Sequence, residues 1–124
     1  MPFQIQIDAE IIRIIFSGKI TKDEFIDLLK ELTRVELDFE CIPDRLTDMS
    51  GVTEWESGFT TMNDVAAKRR ARVFPNKFKS AIVAPNPADY GIARMFQTLN
   101  DNPQIEIQIF KSTAEAEGWL ALKS

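Results

Sequence analysis

Two stretches near the beginning of the chain have the hydrophobic patterns of β-strands. In FQIQID, residues 3 to 8, apolar and polar side chains alternate strictly, which is the period of a half-exposed strand. IIRIIF, residues 11 to 16, is β-branched and almost continuously apolar, as expected of a more buried strand. The short separation predicts an antiparallel hairpin, with the second strand ending at Ser17 and Gly18.

Apolar side chains at helical spacing predict four helices along the rest of the chain. They are expected to begin near Thr21, Ser57, Pro87 and Ser112. The first and last open with capping boxes, TKDE and STAE, and Asn86 is expected to cap the third, which ends between residues 100 and 103. The second should end near Arg72, because Pro75 forbids continuation much further.

Three further segments are expected to be strands, at residues 45 to 50, 80 to 84 and 104 to 110. The predicted order is therefore β-β-α-β-α-β-α-β-α. Strands separated by helices imply right-handed parallel crossovers, so we expect an α/β fold with a mixed five-stranded sheet and four helices. The alternating first and last strands should show polar residues to water, and the helices are expected to crowd one face.

The composition restricts the chemistry available to the chain. Its 124 residues fit one compact domain, and they include no His and only one Cys, Cys41. The chain therefore cannot use imidazole in catalysis, and it lacks the ligands for structural zinc and iron–sulfur sites. It also contains no glycine motif for nucleotide binding. We expect no cofactor, no metal and no enzymatic activity. With no signal-peptide pattern and no apolar run of bilayer length, the expected location is the cytoplasm.

Several sequence segments, occurring in this order of elements, resemble segments of STAS-type domains. They are TKDEFIDLLKEL in the first helix, SAIVAP running into ADYGIARMFQTL, and IEIQIFKSTAEAEGWL at the end. Together they are similar to the SpoIIAA-like group, often described as STAS/SEC14 domain proteins, and the similarity covers almost the whole chain. It implies a SpoIIAA-like fold and a binding or regulatory module rather than an enzyme.

The resemblance also points to a phosphorylation segment. In anti-sigma-factor antagonists, a motif like D-L-S-G-V-x-F-x-D-S-S-G carries a phosphorylatable serine at a helix start, and DMSGVTEWESGF, residues 48 to 59, is its counterpart here. Ser57 matches the first serine of the pair, whereas Gly58 stands where the phosphate-accepting serine would be. Ser57 is therefore the candidate for phosphorylation, although a role as the N-cap of the second helix is sufficient by itself to explain it.

A basic block, KRRARVFPNKFK at residues 68 to 79, stands out in a chain of net charge −4. Its candidates for contact with an anionic membrane surface are Lys68, Arg69, Arg70, Arg72, Phe74, Lys77 and Lys79. Phe74 is expected to be an exposed apolar anchor, whereas Phe78 is expected in the core. The alternative is a solvated helix end, and nucleic acid is disfavoured by the isoelectric point of about 4.9.

The SEC14 part of the resemblance implies an apolar or lipid-like ligand held between helices and sheet. The candidate lining residues are Trp55, Phe59, Met62, Tyr90 and Met95. Ordinary core packing is the alternative for each of them.

The sequence therefore favours a non-enzymatic domain that binds an apolar ligand or an anionic membrane reversibly. A protein-interaction switch controlled near Ser57 is the alternative, and a carboxylate enzyme using Asp48, Glu54 and Glu56 is a third reading without catalytic partners. The half-exposed first strand near a sheet edge leaves room for a homodimer.

Overall fold

The computed structural model describes residues 3–8, 11–56, 73–99 and 102–122. The strands are β1 (Phe3–Ile7), β2 (Ile11–Ile20), β3 (Asp44–Trp55), β4 (Phe78–Val83) and β5 (Ile105–Phe110). The helices are α1 (Lys22–Glu36), α2 (Pro87–Leu99) and α3 (Thr113–Ala121). Along these residues the order is β-β-α-β-β-α-β-α, which differs from the predicted order by the helix expected over residues 57 to 72. That helix, with the start at Ser57, lies outside the described residues.

The five strands form one mixed sheet, which confirms the predicted α/β architecture. Their spatial order, β1-β2-β3-β4-β5, is the same as their order along the chain. β1 pairs antiparallel with β2, and every later neighbour is parallel. The apolar β-branched composition of β2 suits a strand that has neighbours on both sides.

Two strands continue further than the sequence predicts. β2 was expected to end at Ser17, but it continues to Ile20, where it pairs with Trp55 at the end of β3. The register shifts near Ser17 and again after Gly18, whose φ is +71°, so this glycine accommodates an irregularity inside the strand rather than its end. β3 correspondingly runs past the predicted limit of residue 50.

Helices cover both faces of the sheet, so the expectation that they crowd one face is wrong. Alternate β4 side chains explain the arrangement: Ile82 joins the core under α1 and α2, whereas Ala81 and Val83 pack against α3. The buried core on the first side, called the α1/α2 face, consists of Ile12, Ile14, Phe16, Ile20, Phe25, Leu28, Leu32, Val35, Met49, Val52, Ile82, Ala84 and Ala93.

The helix starts follow the predicted caps with one difference. At α1 the Thr21 hydroxyl accepts from the Glu24 amide, and the Glu24 carboxylate accepts from the Thr21 amide, which is the complete capping box. At α3 the Ser112 hydroxyl accepts from the Glu115 amide, but the Glu115 carboxylate accepts from the Ser112 hydroxyl rather than from its amide. α2 begins at Pro87 as predicted.

A buried ion pair joins the end of α1 to the start of β3. Arg45 donates to Glu36, and the two residues are only 3% and 1% exposed. The Arg45 guanidinium also lies 4.5 Å from the centre of the Phe78 ring. Because isolated charges are costly to bury, this pair requires α1, β3 and β4 to meet in one arrangement.

Candidate functional site

Of the predicted pocket residues that the structure describes, Trp55 and Tyr90 lie near the carboxyl ends of β3 and β4, and Met95 lies further along the following helix. Trp55 is the last residue of β3, and Tyr90 and Met95 belong to α2. Trp55 and Met95 are half-buried against the core of the α1/α2 face, while Tyr90 is 46% exposed. Phe59 and Met62, the other two candidates, lie outside the described residues.

Trp55 belongs to a cluster of three aromatic rings at this edge of the sheet. The Trp55 ring centre lies 5.6 Å from Phe16 on β2 and 6.5 Å from Phe25 on α1, with tilted or edge-on geometry. Phe16 and Phe25 themselves stack, 6.2 Å apart. Both phenylalanines are almost fully buried, so the indole forms the outermost part of the cluster.

A buried carboxylate fixes the position of the indole. The Trp55 Nε1–H donates to Asp89 Oδ1 at 2.8 Å, and the Asn86 Nδ2–H donates to Asp89 Oδ2 at 3.1 Å. Asp89 is 2% exposed and lies in the first turn of α2, where the helix dipole favours a negative charge. The hydrogen bond therefore ties the end of β3 to the start of α2, with the apolar face of the indole left for packing.

Sequence reasoning did not single out Asp89. It assigned Asn86 as an N-cap through its side chain, whereas the structure shows the Asn86 amide donating to Asp89 and the Asn86 carbonyl accepting from the Tyr90 amide. An acid in the first helical turn was visible in the sequence. Its tryptophan partner, 34 residues earlier, was not.

The three carboxylates considered for catalysis do not converge. Lys19 lies 3.2 Å from Glu56 and 3.8 Å from Glu54, and the pKa of its ammonium is raised, first by the hydrogen bond to Glu56 and then by both charges. Asp48 instead accepts from the Ser50 amide at 2.9 Å and from the Ser50 hydroxyl at 2.6 Å. Glu54 and Glu56 thus share Lys19, whereas Asp48 is bonded to Ser50 and does not join them.

Phe74 is buried, so its predicted role as an exposed membrane anchor is wrong. It is 4% exposed and packs edge-to-face with Phe78, ring centres 5.0 Å apart, in a cluster with Ile42 and Ile105. The Gln104 side chain holds the backbone of Phe74 on both sides, accepting from its amide at 2.8 Å and donating to its carbonyl at 2.7 Å. Phe78 is in the core, as predicted.

The described lysines of the basic block do not share a surface with Phe74. Lys79 turns to the opposite side of the sheet, where its ammonium donates to the carbonyls of Trp119 and Leu122 at 3.3 and 2.7 Å. It therefore satisfies the carboxyl end of α3. Lys77 is exposed. The other basic candidates, Lys68, Arg69, Arg70 and Arg72, lie outside the described residues.

Tyr90 lines a shallow depression between α2 and β5. The depression has a volume of about 420 Å³. Its walls are formed by Tyr90, Arg94, Gln97, Ile107, Gln108 and Ile109. The Gln97 side chain already has a hydrogen-bond partner there, because its Nε2–H donates to the Ile107 carbonyl at 2.7 Å.

Among the described residues, no helix is long and apolar enough to cross a membrane. No group of three or more His, Cys, Asp or Glu within the same ranges has the arrangement of a metal site.

Comparison with known proteins bears on the fold. No protein-family model and no curated protein matches the chain. A solved structure of an uncharacterised DUF3478-family protein from Shewanella loihica PV-4, which has a SpoIIAA-like fold, superposes with a TM-score of 0.63 at 14% identity. The match covers 96% of this chain and 92% of that one. The SpoIIAA-like resemblance seen in the sequence is thus confirmed at the level of the fold.

Proposed function

We propose that this chain is a non-enzymatic binding domain of STAS type that takes an apolar, lipid-like ligand on the α1/α2 face of the sheet. The observation that supports it most is the half-buried Trp55, packed on Phe16 and Phe25 and held by the buried Asp89. An aromatic wall whose only polar atom already has a partner is suited to apolar contacts.

The position of the cluster agrees with this proposal. Ligands of sheets with parallel strands bind outside the carboxyl ends of the strands, and Trp55 ends β3 at that edge. Met95 of α2 contributes a flexible, polarisable side chain to the same core. Both side chains are half-buried, so they combine a fixed position with accessible apolar surface.

Membrane binding through the basic block has less support than a ligand in this region. Its apolar anchor was to be Phe74, which is buried, and Lys79 serves the end of α3. The phosphorylation alternative depends on Ser57, outside the described residues. Apolar ligand binding is therefore the function that the described geometry favours.

The two tryptophans provide a direct test, because they lie on opposite faces of the sheet. Trp55 reports the proposed site, and Trp119 packs on Phe110 in the α3 cluster. In Trp119→Phe, titration with oleate should shift and saturate the Trp55 emission. The matched variant Trp55→Phe leaves only Trp119, whose emission should stay unchanged.

Equal emission changes in the two variants would indicate nonspecific adsorption and contradict the proposed site. No change in either variant, together with no lipid co-purifying in a native mass spectrum, would overturn the function itself.

A further inference from the structure

The two edges of the sheet differ in how their backbone groups are satisfied. At the β5 edge, the even-numbered residues bond inward to β4, as shown by the carbonyls of Gln104 and Phe110 accepting from Phe78 and Ala84. Outward groups therefore belong to the odd-numbered residues. Two of these outward groups already have hydrogen-bond partners within the chain: the Ile107 carbonyl accepts from Gln97, and the Ile105 amide donates to the Asn102 carbonyl.

At the opposite edge, the outward groups of β1 can be assigned from the hairpin. The Asp8 amide donates to the Ile11 carbonyl at 3.0 Å, so these two residues form a hydrogen-bonded pair. Antiparallel strands alternate between bonded and non-bonded pairs, and the register continues through Gln6 with Arg13 and Gln4 with Ile15. The N–H and C=O groups of Phe3, Ile5 and Ile7 therefore point away from β2.

β1 lacks the usual protection of a free edge. Within the described residues it pairs with β2 alone, and its register shows no bulge. The strand FQIQI contains neither a charged residue nor a proline. Such an edge is a template for another strand, and its Ile7 side chain is 55% exposed.

The pattern of apolar and polar residues in β1 points to a second copy as the partner, because that pattern is symmetric about Ile5. A second copy placed antiparallel around a two-fold axis at Ile5 pairs Ile5 with itself, Gln4 with Gln6 and Phe3 with Ile7. The pairs at Ile5 and between Phe3 and Ile7 are the ones whose backbone groups point outward, so register and hydrogen bonding agree. Apolar residues then meet on one face and glutamines on the other.

The flank of α1 beside β1 carries equal numbers of acidic and basic side chains. An open groove of about 980 Å³ separates β1 from this helix, whose side of the groove presents Asp27, Lys30, Glu31 and Arg34. The two-fold axis makes the two α1 helices antiparallel. Each helix brings two acids and two bases to this side, with Glu31 and Arg34 already paired inside each copy, so the two flanks meet without an excess of like charge.

We infer that β1 is a homodimerisation edge, at which two copies of this chain join antiparallel around Ile5 to make one continuous sheet. The exposed Ile7 is covered in this arrangement by Phe3 of the second copy. The inference does not depend on the proposed ligand, whose site lies at the carboxyl ends of the parallel strands.

Charge substitutions at the two exposed glutamines test both the dimer and its register. Gln4→Lys with Gln6→Lys places like charges opposite each other. The dimer should therefore become weaker, with its dissociation constant raised roughly tenfold. Gln4→Lys with Gln6→Glu places opposite charges together, so its dimer should persist. Sedimentation velocity over a concentration series measures both, and circular dichroism verifies that each variant is folded.

Hydrogen exchange supplies an independent readout in the unsubstituted protein. The amides of Phe3, Ile5 and Ile7 should become more protected as the protein concentration rises, because the dimer gives them hydrogen-bond partners. A protein that sediments as a monomer at every concentration would overturn the inference. So would a dimer that the double-lysine variant leaves equally tight.

Discussion

At the scale of single residues, the Glu36–Arg45 ion pair should contribute strongly to stability. Both side chains are almost completely buried, so Glu36→Gln removes a charged acceptor of Arg45 in a region that water does not reach. We expect Glu36→Gln to lower the free energy of unfolding by about 3 to 5 kcal/mol, measured by urea denaturation.

A second ion pair in the same helix provides the control. Glu31 and Arg34 pair on the surface, where the Arg34 guanidinium lowers the pKa of the Glu31 carboxyl through a hydrogen bond. At a protein concentration low enough to keep the chain monomeric, Glu31→Gln should change stability far less, because water solvates the remaining charge. Equal losses in the two variants would mean that burial does not govern the Glu36–Arg45 pair.

Asp89 should control the environment of Trp55. Asp89→Ala removes the acceptor of the indole N–H, and we expect a loss of about 1 to 3 kcal/mol in unfolding free energy. In the Trp119→Phe background the same change should move the Trp55 emission to longer wavelength, since the indole is no longer held against the cluster. Asp89→Asn keeps an acceptor oxygen and should show a smaller shift; an identical shift would exclude the hydrogen bond as the cause.

The phenylalanines of the basic block show which residue environments the sequence could predict. Phe78 begins an apolar strand, so its burial follows from local pattern. Phe74 lies in an irregular connection beside Pro75, where no periodicity applies. Its burial depends on Gln104, a residue 30 positions later, and such contacts are invisible in a local pattern.

At the scale of elements, the irregular pairing of β2 with β3 requires glycine at residue 51. A Cβ added to Gly51 would lie 2.8 Å from the carbonyl oxygen of Phe16, which belongs to the neighbouring backbone and cannot easily move. We expect Gly51→Ala to lower the free energy of unfolding by about 1 to 3 kcal/mol in a denaturant titration.

Gly118 in α3 is the matched position for this test. A Cβ there meets no atom within 4 Å, and alanine favours the helix. Gly118→Ala should therefore stabilise the protein by about 0.5 to 1 kcal/mol. If both alanines destabilised equally, close approach of the strands would not be the reason that Gly51 is needed.

Whether a segment forms a helix or a strand was easier to predict from the sequence than the residue at which it ends. The capping residues around Thr21 act over three positions, so the sequence could place the start of α1. The extension of β2 to Ile20 depends on its pairing with β3, and Gly18 within it has the appearance of a strand terminator in the sequence alone.

At the scale of the whole molecule, α3 covers the side of the sheet opposite α1 and α2, and Leu120 is its main buried contact. Leu120→Ala should lower the free energy of unfolding by about 2 to 5 kcal/mol, because a cavity remains against Leu46 and Val83. Leu122, 64% exposed, is the control, and its replacement by Ala should change stability by less than about 0.5 kcal/mol. Thermal unfolding of both variants measures the difference, and similar melting temperatures would contradict this role for α3.

The candidate site was only partly predictable from the sequence, because its geometry depends on contacts between separate elements. Trp55, Tyr90 and Met95 were identified from residue type, but their arrangement depends on where β3 ends and α2 begins. Asp89 acquires its role only when these elements meet, so the hydrogen bond that fixes Trp55 could not be derived from spacing.

The strand order gives the protein a simple sequence of assembly during synthesis. Because spatial order equals chain order, each strand leaving the ribosome finds its partner in the strand made immediately before it. The growing sheet therefore always has an open edge at its newest strand, which the next strand covers, while the β1 edge stays open. When β5 pairs with β4, Gln97 of α2 has already been made, so the side chain that bonds the outward carbonyl of Ile107 is synthesised before the strand that carries this carbonyl.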